Sequence, residues 1–210
     1  MASMTLYFTA GPETYLTAGP QTKGIDCGGP IAERVIVYNG GIAPRYDKLV
    51  QMLRVTSLGT PLEGFYRVFD YVKLRHELRT DMPLEEMFGF VDDGITVILM
   101  MQGWKNWEGN PPDWKNKWKS GHFAVPVDYN RQRIYFADPW KDPDDWKEPH
   151  KNRRFKEGLS FLYRSEFRDM WHDEDTDGTR YYDTGLIVYP KKKIIRPRRI
   201  RHMGYDYRKK

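Results

Sequence analysis

The sequence has few of the features that mark extracellular or membrane proteins. Its 210 residues include a single cysteine, Cys27, which excludes an internal disulfide and a zinc site built from several cysteines. The most apolar stretch, residues 95–101, is interrupted by Thr96 and is far shorter than the roughly 20 apolar residues of a membrane-spanning helix. The N-terminus lacks a basic segment followed by an apolar one. We therefore expect a cytoplasmic location, with packaging in a particle as the alternative.

The net charge of +5 is unevenly distributed along the chain. Residues 191–210 contain ten lysines and arginines but only one acidic residue, Asp206, so the rest of the chain is mildly acidic. We predict an N-terminal arm over 1–20, rich in Gly, Pro and Thr, one domain over 21–190, and a basic C-terminal tail over 191–210. The simplest interpretation of the tail is a solvated segment. Its cations can also bind nucleic acid or another anionic assembly through salt-sensitive contacts.

The spacing of apolar residues predicts helices in the first half of the chain and strands in the second. The first helix begins at Cys27, with Pro30 in its first turn, and ends at Gly40. Further helices are predicted over 46–54, 59–74 and 81–94, and strands over 95–101, 122–129, 133–138 and 184–190. Helices followed by strands indicate an α+β domain.

Cys27 directly precedes the first predicted helix, a position that favours the reactive thiolate. Unpaired N–H groups and the positive end of the helix dipole stabilise negative charge there. Gly28 and Gly29 leave space for a substrate beside the sulfur. Gln21 lies six residues upstream, where its amide and the Cys27 N–H can both donate to an oxyanion. A lone cysteine is more often a buried structural residue, so the assignment depends on a partner base.

His122 is the histidine whose surroundings best suit a catalytic base. If the two following strands form a hairpin that turns at Asn130, His122 lies opposite Asp138 on the same face, with Cβ atoms about 4.5–5.5 Å apart. The carboxylate then holds the imidazole in the tautomer that leaves its other nitrogen free for the sulfur. A register slip of one residue would place the two side chains on opposite faces.

In combination these residues resemble the papain-like cysteine peptidases that process bacteriocin leader peptides, the double-glycine peptidase family, and their stand-alone relatives. The similarity rests on Gln21 six residues before Cys27, on GHF around His122, and on ADP, which places Asp138 sixteen residues after that histidine. It implies a papain-like fold in which a helical N-terminal part, with the nucleophile at a helix N-terminus, packs on an antiparallel sheet.

The resemblance also implies a Cys27–His122–Asp138 triad with Gln21 as oxyanion donor, and no cofactor or metal. Pro126 is one departure, because the family usually has a glycine in this strand. The sequence also shows none of the transporter domains that many members carry. We therefore do not expect their double-glycine leader preference to transfer to this chain.

The predicted activity is hydrolysis of a peptide or other amide through an acyl-enzyme. Acyl transfer and deamidation remain open, because they share that intermediate and differ only in the acceptor. The alternative from another class is a peptidase-fold structural or binding subunit, which its basic tail would attach to a nucleoprotein or shell assembly.

The segment 102–120 is rich in tryptophan and lysine. It contains Trp104, Trp107, Trp114 and Trp118. These rings can wall a peptide groove or stack on bases, but the simpler interpretation is a loop that packs its own rings as a lid over the sheet.

A short acidic segment partly matches a calcium-binding loop. Asp173, Asp175, Asp177 and Gly178 occupy the first, third, fifth and sixth positions, but Thr184 stands at the twelfth, where a bidentate glutamate is required. We therefore expect a solvated acidic turn.

Overall fold

The computed structural model of the chain describes residues 26–103, 113–118, 120–139 and 159–192. The N-terminal arm, Gln21, Trp104, Trp107 and nearly all of the basic tail lie outside this range. The described helices, α1 to α5, are Gly28–Tyr38, Tyr46–Leu53, Leu62–Tyr71, Leu84–Asp92 and Arg164–Met170. The described strands, β1 to β8, are His76–Arg79, Thr96–Gln102, Gly121–Tyr129, Arg133–Ala137, Leu159–Tyr163, His172–Glu174, Arg180–Tyr182 and Gly185–Val188. The predicted α+β class is confirmed.

Six of the strands form one antiparallel sheet in the order β1–β8–β2–β3–β4–β5. Strand β2 lies inside the sheet, and all seven of its residues are buried. Both of its faces are covered by other elements, which explains why its sequence is almost continuously apolar rather than alternating. Strands β6 and β7 form a separate hairpin, and neither was predicted, because their short polar sequences carry no apolar alternation.

Two apolar clusters cover the faces of the sheet. Helices α1, α2 and α3 pack on one face, and α4 and α5 contribute to the cluster on the other. The face of α3 that meets the sheet carries Leu62, Phe65 and Phe69, which are buried. Burial of such a side chain contributes about 1.5–3 kcal/mol. Gly64 permits α2 and α3 to approach closely, because a Cβ at this position would collide with the Leu53 backbone.

The hairpin of β3 and β4 contains a β-bulge. Val125 pairs with Ala137, but the register shifts between Pro126 and Asp128, so that Val127 is an extra residue in β3. A proline is tolerated at a bulge, where the regular ladder of hydrogen bonds is already interrupted. The departure from the family pattern at Pro126 therefore coincides with a local irregularity of the strand.

The observed register of β3 and β4 differs from the predicted pairing of His122 and Asp138. Since Val125 pairs with Ala137, Asp138 comes level with Ala124, and the prediction that it lies directly opposite His122 was wrong by two residues. An even shift keeps His122 and Asp138 on the same face of the hairpin. If β3 had no bulge and Val127 were paired like its neighbours, Asp138 would be displaced from His122 by an odd number of residues. The two side chains would then lie on opposite faces of the hairpin.

None of the helices in the described part of the chain has the length and hydropathy needed to span a bilayer.

Candidate active site

Cys27 lies at the N-terminus of α1, as the sequence predicted. The helix begins at Gly28, and Pro30 occupies its first turn, where a missing N–H leaves no hydrogen bond unmade. The Gly29 N–H donates to the Asp26 carbonyl at 2.9 Å, which tightens the turn into the helix. Cys27 is buried, with 8% of its surface exposed.

The two glycines after Cys27 have a different role from the one predicted. A Cβ on Gly28 would lie 2.5 Å from Thr60 Cγ2, and a Cβ on Gly29 would lie 2.6 Å from the Tyr46 hydroxyl. The space beside both glycines is therefore filled by the protein's own side chains. The expectation that they leave room for a substrate was wrong, because these glycines let α3 and α2 approach the start of α1.

Asp26 is a buried carboxyl next to the nucleophile that the sequence analysis missed. It is 3% exposed, and its Oδ2 accepts a hydrogen bond from the Tyr46 hydroxyl at 3.1 Å. The two residues are 20 positions apart, and nothing in their local sequence marks them as partners.

His122 and Asp138 form a buried hydrogen-bonded pair. His122 Nε2 lies 2.8 Å from Asp138 Oδ1, and the second carboxylate oxygen, Oδ2, accepts a hydrogen bond from the Ser160 hydroxyl at 2.9 Å. Asp138 is fully buried, and His122 is 4% exposed. Ser160 comes from β5, the strand that pairs with β4. It was not predicted, since the sequence gives no signal for the pairing partner of β4.

Cys27 completes this chain of contacts. The side chain of Cys27 interacts with that of His122, and this contact is one of the causes that raise the pKa of His122. Because Nε2 faces Asp138, the other ring nitrogen, Nδ1, is left for the sulfur. Burial lowers the pKa of His122, but the charge and hydrogen bond of Asp138 and the contact with Cys27 outweigh it and raise this pKa to about 10. The imidazole is therefore protonated at neutral pH.

The structure thus brings three of the four predicted site residues together: Cys27, His122 and Asp138. Their catalytic role remains a prediction. The fourth, Gln21, lies outside the described residues, and so do the contacts it makes.

A third buried carboxyl, Asp173, lies next to Gly121, the residue before His122. Its Oδ1 accepts from Gln102 Nε2 at 3.0 Å, and its Oδ2 would lie 2.5 Å from a Cβ on Gly121, the residue before His122. Burial raises the pKa of Asp173 to about 8, although hydrogen bonds from Glu174 and Gln102 and the charge of His122 oppose this. Asp173 is 4% exposed, so the predicted solvated acidic turn is wrong at this position.

The other carboxylates of the acidic segment have separate partners. Asp175 accepts from the Leu62 N–H at 3.3 Å, and Asp177 accepts from the Thr179 N–H at 2.8 Å. Within the described part of the chain no group of three His, Cys, Asp or Glu side chains is arranged to hold a metal ion.

Trp118 is part of a packed aromatic cluster next to β6 and β7. Its ring centroid lies 4.5 Å from that of His172 and 4.9 Å from that of Tyr182, and the Arg180 guanidinium lies 4.5 Å above it. His172 Nε2 is also 2.7 Å from the Lys117 carbonyl. Trp118 thus packs against side chains of β6 and β7 rather than against other rings of its own segment. Since Trp104 and Trp107 lie outside the described residues, the lid stays a prediction.

Neither a family model nor a curated protein matches the sequence. Among solved structures, the chain is similar to the peptidase domain of Streptococcus ComA, a bi-functional ABC transporter involved in a quorum-sensing pathway. The identity is 14%, the match covers 84% of this chain and 100% of that domain, and the TM-score is 0.56. It is also similar to a putative C39-like peptidase from Bacillus anthracis, with 15% identity, coverage of 85% and 96%, and a TM-score of 0.55. The chain therefore has the fold of these peptidase domains, which is the papain-like fold that the resemblance in its sequence implied.

Proposed function

We propose that the protein is a cysteine peptidase, in which Cys27 is the nucleophile, His122 the acid and base, and Asp138 the residue that orients His122. The observation that supports this most directly is the chain of contacts from Cys27 to His122 and from His122 to Asp138, the second of them a buried hydrogen bond of 2.8 Å. Its members come from the start of α1, from β3 and from the residue after β4, so only the folded chain assembles them.

The charge state of the pair suits attack by a thiolate. With the pKa of His122 at about 10, the imidazolium is the dominant form at neutral pH and carries the proton that the leaving nitrogen needs. The Cys27 thiolate attacks the carbonyl carbon of the scissile amide, and the electron pair of the carbonyl moves to its oxygen. When the tetrahedral intermediate collapses, the leaving nitrogen takes the proton from His122 Nδ1, and an acyl-enzyme remains.

Water completes the cycle. The now neutral imidazole accepts a proton from a water molecule, whose oxygen attacks the thioester. Collapse of the second intermediate re-forms the carbonyl, releases the carboxylic acid and returns the electron pair of the C–S bond to the sulfur. His122 keeps the proton that it took from water, so the starting state is restored. Throughout the cycle Asp138 holds Nε2 of His122 through its hydrogen bond, and the Ser160 hydroxyl holds Asp138 in turn.

For the oxyanion we propose the Cys27 N–H and the Gln21 side chain as donors. The support for Gln21 is its sequence position and the family pattern alone. Loss of such a donor typically reduces the rate about 100- to 1000-fold. Gln21→Ala is therefore expected to lower kcat with little change in the alkylation of Cys27.

The test of the proposed function starts with alkylation, because Cys27 is the only thiol in the chain and the label cannot go elsewhere. We expect iodoacetamide and peptide epoxides to modify Cys27 at neutral pH faster than they modify a free thiol such as glutathione. His122→Ala should remove this advantage. His76→Ala is the matched control, since His76 stacks on Tyr66 and belongs to β1, at the far edge of the sheet.

Peptide cleavage is then measured with a mixed peptide library and mass spectrometry. Cys27→Ser and His122→Ala should each lose activity by about a thousandfold or more. Products formed with added amine would separate acyl transfer from hydrolysis, and a mass gain of one unit at glutamine or asparagine would reveal deamidation. The proposal fails if Cys27 reacts no faster than glutathione and if His122→Ala leaves both alkylation and cleavage unchanged.

A further inference from the structure

The hairpin of β6 and β7 connects the two parts of the molecule that carry the reacting groups. We call residues 172–182 the strap. The wall on one side of the site is formed by the starts of α1 and α3, and the wall on the other side by the start of β3. The strap contacts both of them, close to Cys27 and His122.

On the strand side, the contact is made by Asp173. Its carboxyl group fills the space that a side chain on Gly121 would need, directly before His122. The same carboxyl group accepts a hydrogen bond from Gln102, which pairs with Gly121 across β2 and β3 and is fully buried. Gln102 also donates to the His172 carbonyl at 3.1 Å. These contacts therefore hold the first strand of the strap, β6, against the start of β3, the strand that carries His122.

On the helix side, the contact is made by Asp175. Both of its carboxylate oxygens lie within 3.4 Å of the Leu62 N–H, the first N–H of α3. Thr60, two residues earlier, packs against Gly28, which follows Cys27. These contacts therefore hold the turn of the strap against the start of α3, and the residues just before α3 pack against the start of α1, next to Cys27.

The two contacts are only two residues apart in the strap. Two residues of extended chain span about 6.6 Å, so the walls are held close together on this side of the site. The two ends of the strap are also held in place, since the Trp118 ring packs on His172 and Tyr182 and the Arg180 guanidinium lies over it. The low exposure of Cys27 and His122, 8% and 4%, fits a site with restricted access.

From this geometry we propose that the strap closes one end of the substrate cleft, so that the protein acts on short peptides or on the ends of peptides rather than within long extended segments. This inference rests on the proposed function and specifies its substrate class. A peptide bound between Cys27 and His122 cannot continue past the strap, and its chain has to end there. Asp175 acts as a specificity-determining residue because it holds the strap against α3.

The strap is tested first without any catalytic turnover. Alkylation of Cys27 is compared for iodoacetamide and for a large polyethylene-glycol maleimide in the wild type, Asp175→Ala, Asp175→Asn and Asp177→Ala. Asp175→Ala is expected to raise the ratio of large-reagent to small-reagent rates by about threefold to tenfold, as fits the loss of one hydrogen bond. Asp175→Asn keeps an acceptor for the Leu62 N–H and should stay near the wild type. Asp177→Ala, in the same turn but bonded only locally to Thr179, is the matched control.

Cleavage then defines which end of the substrate the strap meets. Three peptides share one scissile bond: one is extended on both sides, one is truncated on the amino side, and one is truncated on the carboxyl side. The wild type should prefer one truncated peptide at least tenfold in kcat/KM over the extended one, and Asp175→Ala should reduce that preference while thermal unfolding shows a folded protein. Equal cleavage of all three by the wild type, or an unchanged alkylation ratio in Asp175→Ala, overturns the proposal. Because the alkylation ratio needs no peptidase activity, the strap can fail while the proposed function stands, and the reverse also holds.

Discussion

The wall that carries Cys27 and the wall that carries His122 are built in different ways. Cys27 is positioned by its immediate neighbours, because Gly28, Gly29 and Pro30 start α1 directly after it. His122 meets Asp138 only through the register of a hairpin, and that register depends on the bulge between Pro126 and Asp128. The nucleophile is therefore placed by local sequence, and its base by long-range pairing.

This difference predicts unequal sensitivity to mutation. The helix start can absorb small changes by moving as a unit, whereas the strand side depends on the buried chain His122–Asp138–Ser160, in which the carboxylate has no exposure to water. Removing one member there takes a hydrogen-bond partner from its neighbour in the interior, where the loss of such a partner is costly.

The largest effect is expected from Asp138→Ala. It leaves a buried imidazole and the Ser160 hydroxyl without their acceptor, and breaking a buried charged pair typically costs about 3–5 kcal/mol. We also expect peptide cleavage to fall by about a thousandfold or more, because His122 loses both its orientation and its charge partner. Thermal unfolding and kcat/KM measure the two losses separately.

Asp138→Asn is the matched variant for this prediction. Its amide oxygen can still accept from His122 Nε2, and its NH2 group can donate to Ser160 Oγ. It should therefore keep most of the stability and lose less activity than the alanine variant. If the two variants prove equally stable and equally active, the hydrogen-bonded chain does not hold the strand side together, and the comparison between the walls is wrong.

A smaller effect is expected on the helix side, from Gly28→Ala. The new Cβ would lie 2.5–2.7 Å from three atoms of Thr60, and overpacking of this kind costs about 1–3 kcal/mol. Since a displacement of about 1 Å at a reacting group can cost roughly a hundredfold in rate, we expect cleavage to fall by up to that factor. Urea unfolding and kcat/KM test this.

Gly89→Ala is the control for the helix side. Nothing lies within 4 Å of a Cβ at this position in α4, and alanine is favoured over glycine in a helix by about 1 kcal/mol or less. This variant should be slightly more stable than the wild type and equally active. A Gly28→Ala protein that behaves like Gly89→Ala would show that Thr60 does not fix the start of α1.

The same contrast explains what could be predicted from the sequence. The helices and buried strands follow from local apolar spacing and from terminating glycines, and the position of Cys27 at a helix start was predicted correctly. The register of β3 and β4 was not, because a bulge at Val127 has no unambiguous local signal. Contacts such as Asp26 with Tyr46, Asp138 with Ser160 and Asp173 with Gly121 join residues that are distant in sequence or in separate elements, so only the tertiary structure reveals them.

The most gradual effect is expected in the free energy of unfolding as a function of pH, through the titration of His122 and Asp173. The pKa of His122 rises from 6.5 to about 10 on folding, so its stabilising contribution is complete below about pH 6.5 and is lost as the pH rises toward 10. The pKa of Asp173 rises from 3.8 to about 8, so the folded state keeps a proton that the unfolded state has released, and stability also falls as the pH rises through that window. We therefore expect the free energy of unfolding to decrease steadily from about pH 5 to pH 10.

Asp173→Asn separates the two contributions. The asparagine oxygen can still accept from Gln102 Nε2 and from the Glu174 N–H, but the side chain no longer ionises. In this variant the free energy of unfolding should no longer decrease between about pH 4 and pH 8 through Asp173, but it should still decrease through the titration of His122. At pH 9 the variant should be more stable than the wild type, on the order of 1 kcal/mol or more. Asp177→Asn, at an exposed position of the same turn, should retain the wild-type slope in urea unfolding measured across this range. If the free energy of unfolding of Asp173→Asn falls with pH below pH 8 as steeply as that of the wild type, the Asp173 carboxyl is not held in its neutral form. The start of β3 would then be less isolated from water than its burial indicates.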